Sequence, residues 1–477
     1  MGGILVAITV AFVTPVQDPD FWWHIRTGRW IVEHHALPSH DLFTYTVSGH
    51  AWTDHEYITE VLMWLGYSAT GTIGVAIGFG ILTWVGFLLI LAASRPGRRP
   101  YVILGLGLAL GAAAGGPIWG PRAQMITFLI GCLELYWLRG YLEGRSRAIM
   151  WFPLLMALWA NLHGGWVIGF AFLGVAFASE ALQWLADRSD LAHRMRMQRL
   201  AIVGVVSLLA VLATPHGLSL YLYPFQTQGS AAQQRLIVEW FSPDFHNSSL
   251  RPFEAMLFLL IAGFALRRPS LYDMLLTLLV LGLALQSVRH VVLFVAATTP
   301  ILIATWSEVW RSVSARRGWR LASSPTSPLM AGLTVLAVGL IAAVVFSRIG
   351  GSLADEKSLT AQTYPVGAAD WLVANPSTGT RMFNQYGFGG YLVYRLYPAE
   401  DRRVFVFGEA ALMGDELLNQ YEAVQALHPD WQKVLDTYRV DYVVDNKDAA
   451  LSTVLRTQPA WKVVYEDKTA VIFVRQP

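Results

Sequence analysis

The sequence predicts a polytopic α-helical membrane protein with a C-terminal α/β domain. Of its 477 residues, 54% are hydrophobic and only 14% are charged, whereas an average soluble domain has about 25% charged residues. Apolar runs close to the roughly 20 residues that cross a bilayer as a helix recur up to residue 347. After residue 350, lysines appear and short strand and helix patterns alternate.

Eleven apolar runs are expected to be membrane helices, which makes residues 1–350 a transmembrane domain. Their approximate spans are 2–16, 71–93, 101–119, 122–140, 148–161, 165–186, 199–213, 253–266, 271–286, 290–306 and 329–347. The loops between them alternate in charge, with 16 Arg in one set and six in the other. The positive-inside rule therefore places the N terminus in the cytoplasm and residues 351–477 outside.

The charge distribution narrows the classes of function. A net charge of +2 is too balanced for a polyanion-binding surface, so no nucleic-acid partner is expected. The single cysteine, Cys132, excludes an intramolecular disulfide framework. Ten of the 12 histidines fall in predicted outer loops or at outer helix ends, together with several carboxylates. This one-sided concentration indicates an active site that opens outward, unless the outer loops are simply solvated.

The first outer loop, residues 17–70, contains the densest polar motif. Asp18 and Asp20 bracket Pro19, and such a pair can bind a divalent cation, Mg or Mn, or supply a general base. A helix that begins after Pro19 would place Asp20 and His24 on one face, with Arg26 near for a substrate phosphate. This helix is expected to lie in the membrane interface, because it contains three tryptophans, Trp22, Trp23 and Trp30, and indole rings prefer that region.

A second polar cluster, TDHEYITE (53–60), lies at the mouth of the next predicted helix. Asp54, His55 and Glu56 are candidates to form an acid–base or metal site together with Asp18 and Asp20. Of these three, His55 and Glu56 are predicted to be catalytic. The alternative is that Thr53 and Asp54 only cap the helix, since both are ordinary N-cap residues.

Five further motifs on the predicted outer side supply candidate substrate-binding residues. They are GPIWGPR with Arg122, NLHGGW with His163, TPHG with His216, EWFSPDF with Glu239 and Trp240, and SVRH with Arg289 and His290. An arginine at a membrane entrance suits a lipid-linked phosphate, because its planar fork pairs with phosphate oxygens. Snorkelling or pairing with a structural carboxylate is the alternative for each arginine, and a role in a turn is the alternative for His163 and His216.

The pattern of the C-terminal region predicts an α/β domain. Predicted strands are 381–384, 404–408, 440–445, 462–466 and 470–475, and predicted helices are 366–374, 412–426, 431–438 and 448–456. YGFGGYL (386–392) lacks the GxGxxG spacing of a dinucleotide loop and does not follow a long buried strand, so nucleotide binding is not expected.

The series DPDFWWHIRTGRWI, DLFTYT, W-x-D-H-E-Y, NLHGG, EWFSPDF, SVRH and NQYGFGGYL resembles the GT-C superfamily of membrane glycosyltransferases. It is most similar to largely uncharacterised bacterial integral membrane proteins related to them. The resemblance implies a GT-C-like enzyme of the bacterial inner membrane, in contact with membrane lipids. It also implies a polyprenyl-phosphate sugar donor, a lipid, glycan or protein acceptor, and inverting transfer of a hexose or pentose. Asp20 or Asp18 would be the general base or metal ligand, and Arg289 would hold the donor phosphate.

Other classes of function stay open. A transporter or flippase of a lipid-linked or polar solute is the main alternative, although no internal repeat is seen and the polar residues gather at one face. A metalloenzyme is disfavoured because Thr59, not histidine, stands where an HExxH motif needs its second ligand. A scaffolding role for the outer domain would require Asp18, Asp20 and Glu56 to be dispensable.

Overall fold

The computed structural model describes residues 2–95, 99–317, 328–398 and 402–476. These residues form two compact units. The helical unit comprises Met1–Thr14, Ala76–Gly217 and Glu239–Ser352, and the mixed unit comprises Pro15–Val75, Leu218–Val238 and Leu353–Pro477. The predicted first loop, 17–70, lies wholly in the mixed unit, and the predicted boundary at residue 350 falls close to the start of its last segment.

The α-helices of the described residues are numbered in chain order. They are α1 (Gly2–Ile8), α2 (Asp20–His34), α3 (Tyr57–Ala93), α4 (Tyr101–Ala114), α5 (Gln124–Leu142), α6 (Phe152–Trp159), α7 (Trp166–Ala186), α8 (Leu191–Val211), α9 (Ser219–Gly229), α10 (Ala231–Leu236), α11 (Arg251–Leu266), α12 (Leu271–Gln286), α13 (Val291–Arg316), α14 (Pro328–Ala354), α15 (Glu356–Thr363), α16 (Val366–Ala374), α17 (Tyr386–Leu396), α18 (Ala410–Gln425), α19 (Trp431–Thr437) and α20 (Ala450–Leu455).

Six helical segments in the described ranges are long and apolar enough to cross a membrane. They are Tyr57–Ala93, Gln124–Leu142, Trp166–Ala186, Ser248–Leu266, Val288–Arg316 and Val335–Ala354. Shorter apolar helices are Tyr101–Ala114, Ala148–Trp159 and Leu271–Gln286. Phe258, Ile261 and Val335 expose 64%, 66% and 73% of their surface, as side chains that face lipid would. The chain therefore has the character of a multi-pass membrane protein, while the count of eleven helices and their orientation stay predictions.

Several of the predicted apolar runs differ in their bounds from the helices that form, and the first two are examples. The run 2–16 forms only α1 and a 3-10 turn that ends at Ala11, because Pro15 lacks an amide hydrogen and disfavours helix in the residue before it. The run predicted from residue 71 belongs to a helix that begins at Tyr57. Gly71, with φ 68° and ψ −168°, interrupts that helix at the residue where the predicted run begins.

The mixed unit contains a four-stranded sheet. Its strands are β1 (Met382–Asn384), β2 (Tyr442–Asn446), β3 (Trp461–Glu466) and β4 (Ala470–Arg475), in the spatial order β1-β2-β4-β3. β1 and β2 are parallel, and the other two pairs are antiparallel. Four of the five predicted strands are thereby confirmed.

The fifth predicted strand, 404–408, is wrong. Val404 makes only an isolated bridge to Thr44. The side chain of Asn384 accepts from the amide of Phe405 at 2.8 Å and donates to the carbonyl of Val406 at 2.9 Å. Because a side-chain amide takes these backbone groups, the segment cannot continue as a ladder strand.

Helix α2 begins at Asp20, directly after Pro19, as predicted. A Cβ atom on Gly28 would lie 2.0 Å from the carbonyl oxygen of Glu60 in α3. A Cβ atom on Gly390 in α17 would lie 2.4 Å from the carbonyl oxygen of Pro19. Backbone therefore approaches backbone on two sides of α2, and the glycines of YGFGGYL serve helix packing rather than ligand binding.

The prediction that Trp22 and Trp23 lie in the membrane interface is wrong. Each is only 4% exposed within the protein. The Trp22 ring lies 5.1 Å from that of Tyr391, and the Trp23 ring lies 5.6 Å from that of Phe407. Both indoles are thus core residues of the mixed unit, while Trp30 stacks on His34 at 4.4 Å.

Gly28→Ala is expected to lower the free energy of unfolding of the mixed unit by about 2 kcal/mol, because the new methyl group meets backbone that cannot rotate away. The thermal midpoint of the purified protein in detergent would report the loss. Gly66→Ala in α3 is the matched control, since its Cβ would lie 3.5 Å from the nearest atom, an ordinary contact. Equal midpoints for the two variants would contradict the close approach of α2 to α3.

Candidate active site

A buried cluster of ionisable side chains lies in the mixed unit and is called here the acid–imidazole cluster. Its members are His24, Asp54, His55, Glu56, Glu60 and Glu409. They come from α2, from the turn before α3, from α3 itself and from the residue before α18. The backbone amide of Glu56 donates to Asp54 Oδ1 at 3.3 Å. The capping interpretation of Asp54 is therefore supported alongside the functional one.

Glu56 stands between two imidazole rings. His55 Nε2 lies 3.2 Å from Glu56 Oε1, and His24 Nε2 lies 3.6 Å from Glu56 Oε2. The other ring nitrogen of His24 lies 2.9 Å from Glu60 Oε1. This chain of contacts joins α2 to α3, because one ring bridges two carboxylates that lie one helical turn apart.

Tyr223 and Glu409 complete the surroundings of His55. The Tyr223 hydroxyl donates to Glu409 Oε1 at 3.2 Å. The Tyr223 ring lies 4.1 Å from the imidazole of His55. The cluster thus receives an aromatic wall from α9 and a further carboxylate from the C-terminal part of the chain.

The pKa values of His24 and His55 are shifted in opposite directions. Burial lowers the pKa of His24 to about 4, and the charge of Glu56 offsets this only in part. Burial also opposes the charge on His55, but the hydrogen bond and the charge of Glu56, with Glu409, outweigh it and raise the pKa of His55 to about 9. At neutral pH, His55 is therefore a cation paired with Glu56, and His24 is neutral.

Two carboxyl groups of the cluster hold their protons more tightly than usual. Burial raises the pKa of Asp54 to about 6, against the opposing effects of Glu60 and His55. Burial raises the pKa of Glu409 to about 7, with further contributions from Glu56 and Asp54 and an opposing one from His55. A carboxyl group that titrates near neutrality can exchange protons under physiological conditions, a common property of catalytic sites.

Asp20 is a half-buried residue at the start of α2. Its Oδ1 accepts a hydrogen bond from the indole of Trp23 at 3.0 Å. A Cβ atom on Gly408 would lie 1.7 Å from the same oxygen, so the carboxylate lies directly against the residue before Glu409. One turn further along α2 is His24. Asp20 therefore lies on the face of α2 that carries the cluster's imidazole.

Asp18 accepts two hydrogen bonds that connect it to Asp20 and to Tyr364. Its Oδ1 accepts from the backbone amide of Asp20 at 3.0 Å, and its carbonyl accepts from the hydroxyl of Tyr364 at 3.0 Å. Within the described residues, no group of three or more His, Cys, Asp or Glu side chains is arranged to hold a metal ion. The divalent cation at Asp18 and Asp20 stays a prediction from sequence.

Arg26 is not brought to the acid–imidazole cluster. It follows His24 by two residues, and such positions point to different sides of a helix. Its guanidinium lies 4.8 Å from the centre of the Tyr397 ring, and it is only 4% exposed. Burial lowers the pKa of Arg26, with Arg29 adding to the effect.

A second group of predicted residues meets in the helical unit and is called here the basic cluster: Arg122, Glu239, Trp240, Arg289 and His290. Arg122 pairs with Glu239 at 2.6 Å, and the guanidinium of Arg289 lies 4.6 Å from the centre of a Trp240 ring. The rings of Trp240 and His290 are 6.2 Å apart. Although burial opposes it, the charges of Arg122 and Arg289 lower the pKa of Glu239. Two guanidinium groups and one carboxylate leave net positive charge.

Backbone and side-chain hydrogen bonds hold the basic cluster together. Ser287 Oγ donates to the carbonyl of Glu239 at 2.7 Å, and the amide of Val288 donates to the carbonyl of Phe241 at 2.9 Å. The motifs EWFSPDF and SVRH are therefore joined directly. Gln124 at the start of α5 donates to the carbonyl of Arg289 at 2.6 Å.

His163 and His216 lie in turns of the helical unit. His163 Nδ1 accepts from the amide of Gly165 at 2.9 Å and lies 2.8 Å from Thr127 Oγ1. The amide of His216 donates to Thr214 Oγ1 at 3.4 Å, in a turn where Gly217 has φ 52°. These contacts support the turn-forming interpretation of both histidines.

Sequence reasoning missed three members of the mixed-unit site. Glu60 follows Glu56 by four residues, and helical periodicity alone would have placed both on one face. Tyr223 and Glu409 gave no signal, because each reaches the site from a distant part of the chain. The predicted candidates themselves fall into two groups, with Asp18, Asp20, His24, His55 and Glu56 in the mixed unit and the basic cluster in the helical unit.

No protein-family model and no curated protein matches this chain. Two solved structures resemble it over 99% of its length. The archaeal oligosaccharyltransferase AglB from Archaeoglobus fulgidus aligns with a TM-score of 0.59 at 11% identity, and this chain covers 74% of it. The mycobacterial arabinofuranosyltransferase AftD aligns with a TM-score of 0.50 at 13% identity, and this chain covers 41% of it. Both neighbours are GT-C membrane glycosyltransferases, so the predicted GT-C resemblance is confirmed at the level of the fold.

Glu409→Gln is expected to flatten the pH dependence of stability. The native carboxyl group has a pKa of about 7, against about 4.3 in an unfolded chain. The native state therefore holds a proton that the unfolded state releases in this window. The stabilisation from this proton is complete below about pH 4 and is lost as the pH rises through about 7. The variant and the wild type should have similar thermal midpoints near pH 4, and the variant should be higher by about 2 °C or more at pH 8.

The matched control for this titration is Glu416→Gln, an exposed carboxyl group on α18. Its midpoint should follow that of the wild type at each pH. Parallel curves for Glu409→Gln and the wild type between pH 4 and pH 8 would show that Glu409 does not titrate as described.

Proposed function

We propose that this protein is a membrane glycosyltransferase that moves a sugar from a polyprenyl-phosphate donor to a hydroxyl group of a lipid, glycan or protein acceptor. The fold shared with two membrane glycosyltransferases supports the class of reaction. The AglB structure was determined with a dolichol-phosphate, which supports a donor of this chemistry. The observation that carries the proposal is the half-buried Asp20 carboxylate beside a buried acid–imidazole cluster.

Asp20 is the proposed general base. Its carboxylate removes the proton of the acceptor hydroxyl as the acceptor oxygen attacks the anomeric carbon. The bond between that carbon and the phosphate oxygen breaks, and its electron pair leaves with the polyprenyl phosphate. A single displacement of this kind inverts the anomeric configuration. The hydrogen bond from Trp23 fixes one carboxylate oxygen, which reduces the orientational freedom lost in the transition state.

The acid–imidazole cluster has a supporting role in this proposal. The charged pair of His55 and Glu56 is already satisfied, so it does not compete with Asp20 for the acceptor proton. Glu409 follows Gly408, the residue against which Asp20 packs. Because its pKa is about 7, Glu409 is of suitable strength to take up a proton after transfer.

The basic cluster is the proposed binding site for the donor phosphate. Arg122 is paired with Glu239, whereas Arg289 lies over the face of Trp240. The excess positive charge would stabilise the phosphate that leaves, and a guanidinium keeps its charge throughout the reaction. His290, Trp240 and Glu239 would then shape this site rather than perform chemistry.

The proposed setting is the inner membrane of a bacterium, with the N terminus in the cytoplasm and residues 351–477 outside it. Arginine-rich loops on one side support this orientation. A lipid-linked donor enters from the bilayer, so the reaction needs no nucleotide sugar. No step is assigned to a divalent cation.

Asp20→Asn is expected to reduce transfer by at least about 100-fold, because the amide cannot accept the acceptor proton. The assay would follow labelled sugar from polyprenyl-phosphate mannose, glucose or arabinose into the cell-envelope fraction. Glu33→Gln on the exposed side of α2 is the matched control and should retain activity. Turnover like that of the wild type in Asp20→Asn would contradict the assignment, and movement of intact donor without transfer by the wild type would favour a flippase.

Arg289→Ala is expected to lower kcat/KM for the polyprenyl-phosphate donor by about 10- to 100-fold, the usual cost of losing a charged hydrogen-bond donor. Arg289→Lys should recover part of the loss, since the charge returns without the planar fork. Arg268→Ala, an exposed arginine between α11 and α12, is the control. An unchanged kcat/KM in Arg289→Ala would remove Arg289 from the donor site.

A further inference from the structure

An open cleft of about 530 Å³ lies in the mixed unit. None of the predicted catalytic residues lines it. Its walls come from the loop before Trp52, from α9 and α10, and from the first turns of α18: Gly49, His50, Ala51, Gln226, Ser230, Gln233, Ala411, Leu412, Gly414 and Asp415. The volume falls within the range of about 300–1,000 Å³ that is typical of small-molecule sites.

Two breaks in helical structure open this cleft. Helix α9 ends at Gly229, and Ser230 caps α10 by accepting from the amide of Gln233 at 3.1 Å. Helix α18 is interrupted at Gly414, which has φ 75°. A positive φ of this kind favours glycine. The cleft is therefore built into the local sequence rather than left by loose packing.

One polar group of the cleft is the side-chain amide of Gln233, which makes no hydrogen bond to the described residues. Gln233 is only 4% exposed. The polar atoms of this amide are not sealed from solvent, so they border open space and can form hydrogen bonds with a ligand there. Gln226 on α9 is exposed, and its side-chain amide likewise has no protein partner among the described residues.

The remaining polar groups add both donors and acceptors. His50 Nδ1 lies 3.3 Å from the carbonyl of Leu412, and because a carbonyl only accepts, Nδ1 is the donor and Nε2 is left as an acceptor. Ser230 Oγ donates to the carboxylate of Asp415. Among the described residues that line the cleft there is no lysine or arginine, and Asp415 contributes a carboxylate. A phosphate or other anion therefore has no counter-charge here, and the polar walls do not suit an acyl chain.

The cleft is linked to the acid–imidazole cluster through two helices. Gln226 lies three residues after Tyr223 on α9, and Tyr223 donates to Glu409. Leu412 lies three residues after Glu409. A ligand in the cleft would thus rest about one helical turn from the partners of His55.

We propose that this cleft binds a neutral saccharide. Amide, imidazole and hydroxyl groups that both donate and accept match the alternating donors and acceptors of sugar hydroxyls. Identification of that saccharide as part of the acceptor rests on the proposed glycosyltransferase function. The binding itself does not.

The test uses the full chain in nanodiscs with three named probes: methyl α-D-mannopyranoside, methyl α-D-glucopyranoside and methyl α-D-arabinofuranoside. Saturation-transfer NMR would measure binding to the wild type and to Gln233→Ala and Gln226→Ala. At least one probe should bind the wild type, and each substitution should weaken that binding about tenfold, as the loss of one to two hydrogen bonds would. Gln234→Ala, an exposed neighbour on α10, is the matched control and should bind as the wild type does.

Thermal midpoints equal to that of the wild type would show that the variants are folded. The proposal is overturned if none of the three probes binds, or if Gln233→Ala and Gln234→Ala bind equally well. The two proposals fail separately. Binding that depends on Gln233 in a protein without transferase activity contradicts the function alone, and transfer with probe binding unaffected by Gln233→Ala contradicts the cleft alone.

Discussion

The geometry of the mixed unit depends on how closely α2 approaches its neighbours. At Gly28 and Gly390 there is no room for a Cβ atom between one backbone and the next. Because α2 is held this close to α3, the ring of His24 reaches both Glu56 and Glu60. At the start of α2, the Asp20 carboxylate rests against Gly408, where a Cβ atom would have no room. Residues with no chemistry of their own therefore set the distances on which the candidate chemistry depends.

Burial then limits how many charges this arrangement can hold. Isolated charges in a low-dielectric interior are costly, so neighbouring groups must pair or remain neutral. His55 keeps its proton because Glu56 pairs with it, and His24 loses its proton because burial outweighs the same carboxylate. Glu409 retains a proton to about pH 7. The protonation of each group thus depends on the others, and a change at one member alters the pKa values of the rest.

Sequence patterns predicted those features that depend on local chemistry. Apolar length predicted the helices, Pro19 predicted the start of α2, and helical spacing placed Asp20 with His24. Trp22 and Trp23 were assigned wrongly to the interface, because an aromatic that belongs to a core and one that belongs to an aromatic belt look alike in sequence. Tyr223 and Glu409 could not be found, since only the fold brings such distant segments together. Composition alone likewise does not reveal that Asn384 takes the backbone groups of residues 405 and 406.

Hydrogen bonding separates the structural motifs from the chemical ones. DLFTYT contains Asp41, a buried carboxylate that resembles a catalytic candidate, yet both its oxygens accept from the amides and hydroxyl of Phe43 and Thr44. Its role is to shape its own turn. Glu56 instead directs its two oxygens to two imidazole rings, which are groups that gain and lose protons. A carboxylate bound to fixed backbone amides stabilises a structure, whereas one bound to titrating rings can take part in proton transfer. By this criterion Asp41 serves the fold, whereas Glu56 belongs with the titrating groups of the acid–imidazole cluster.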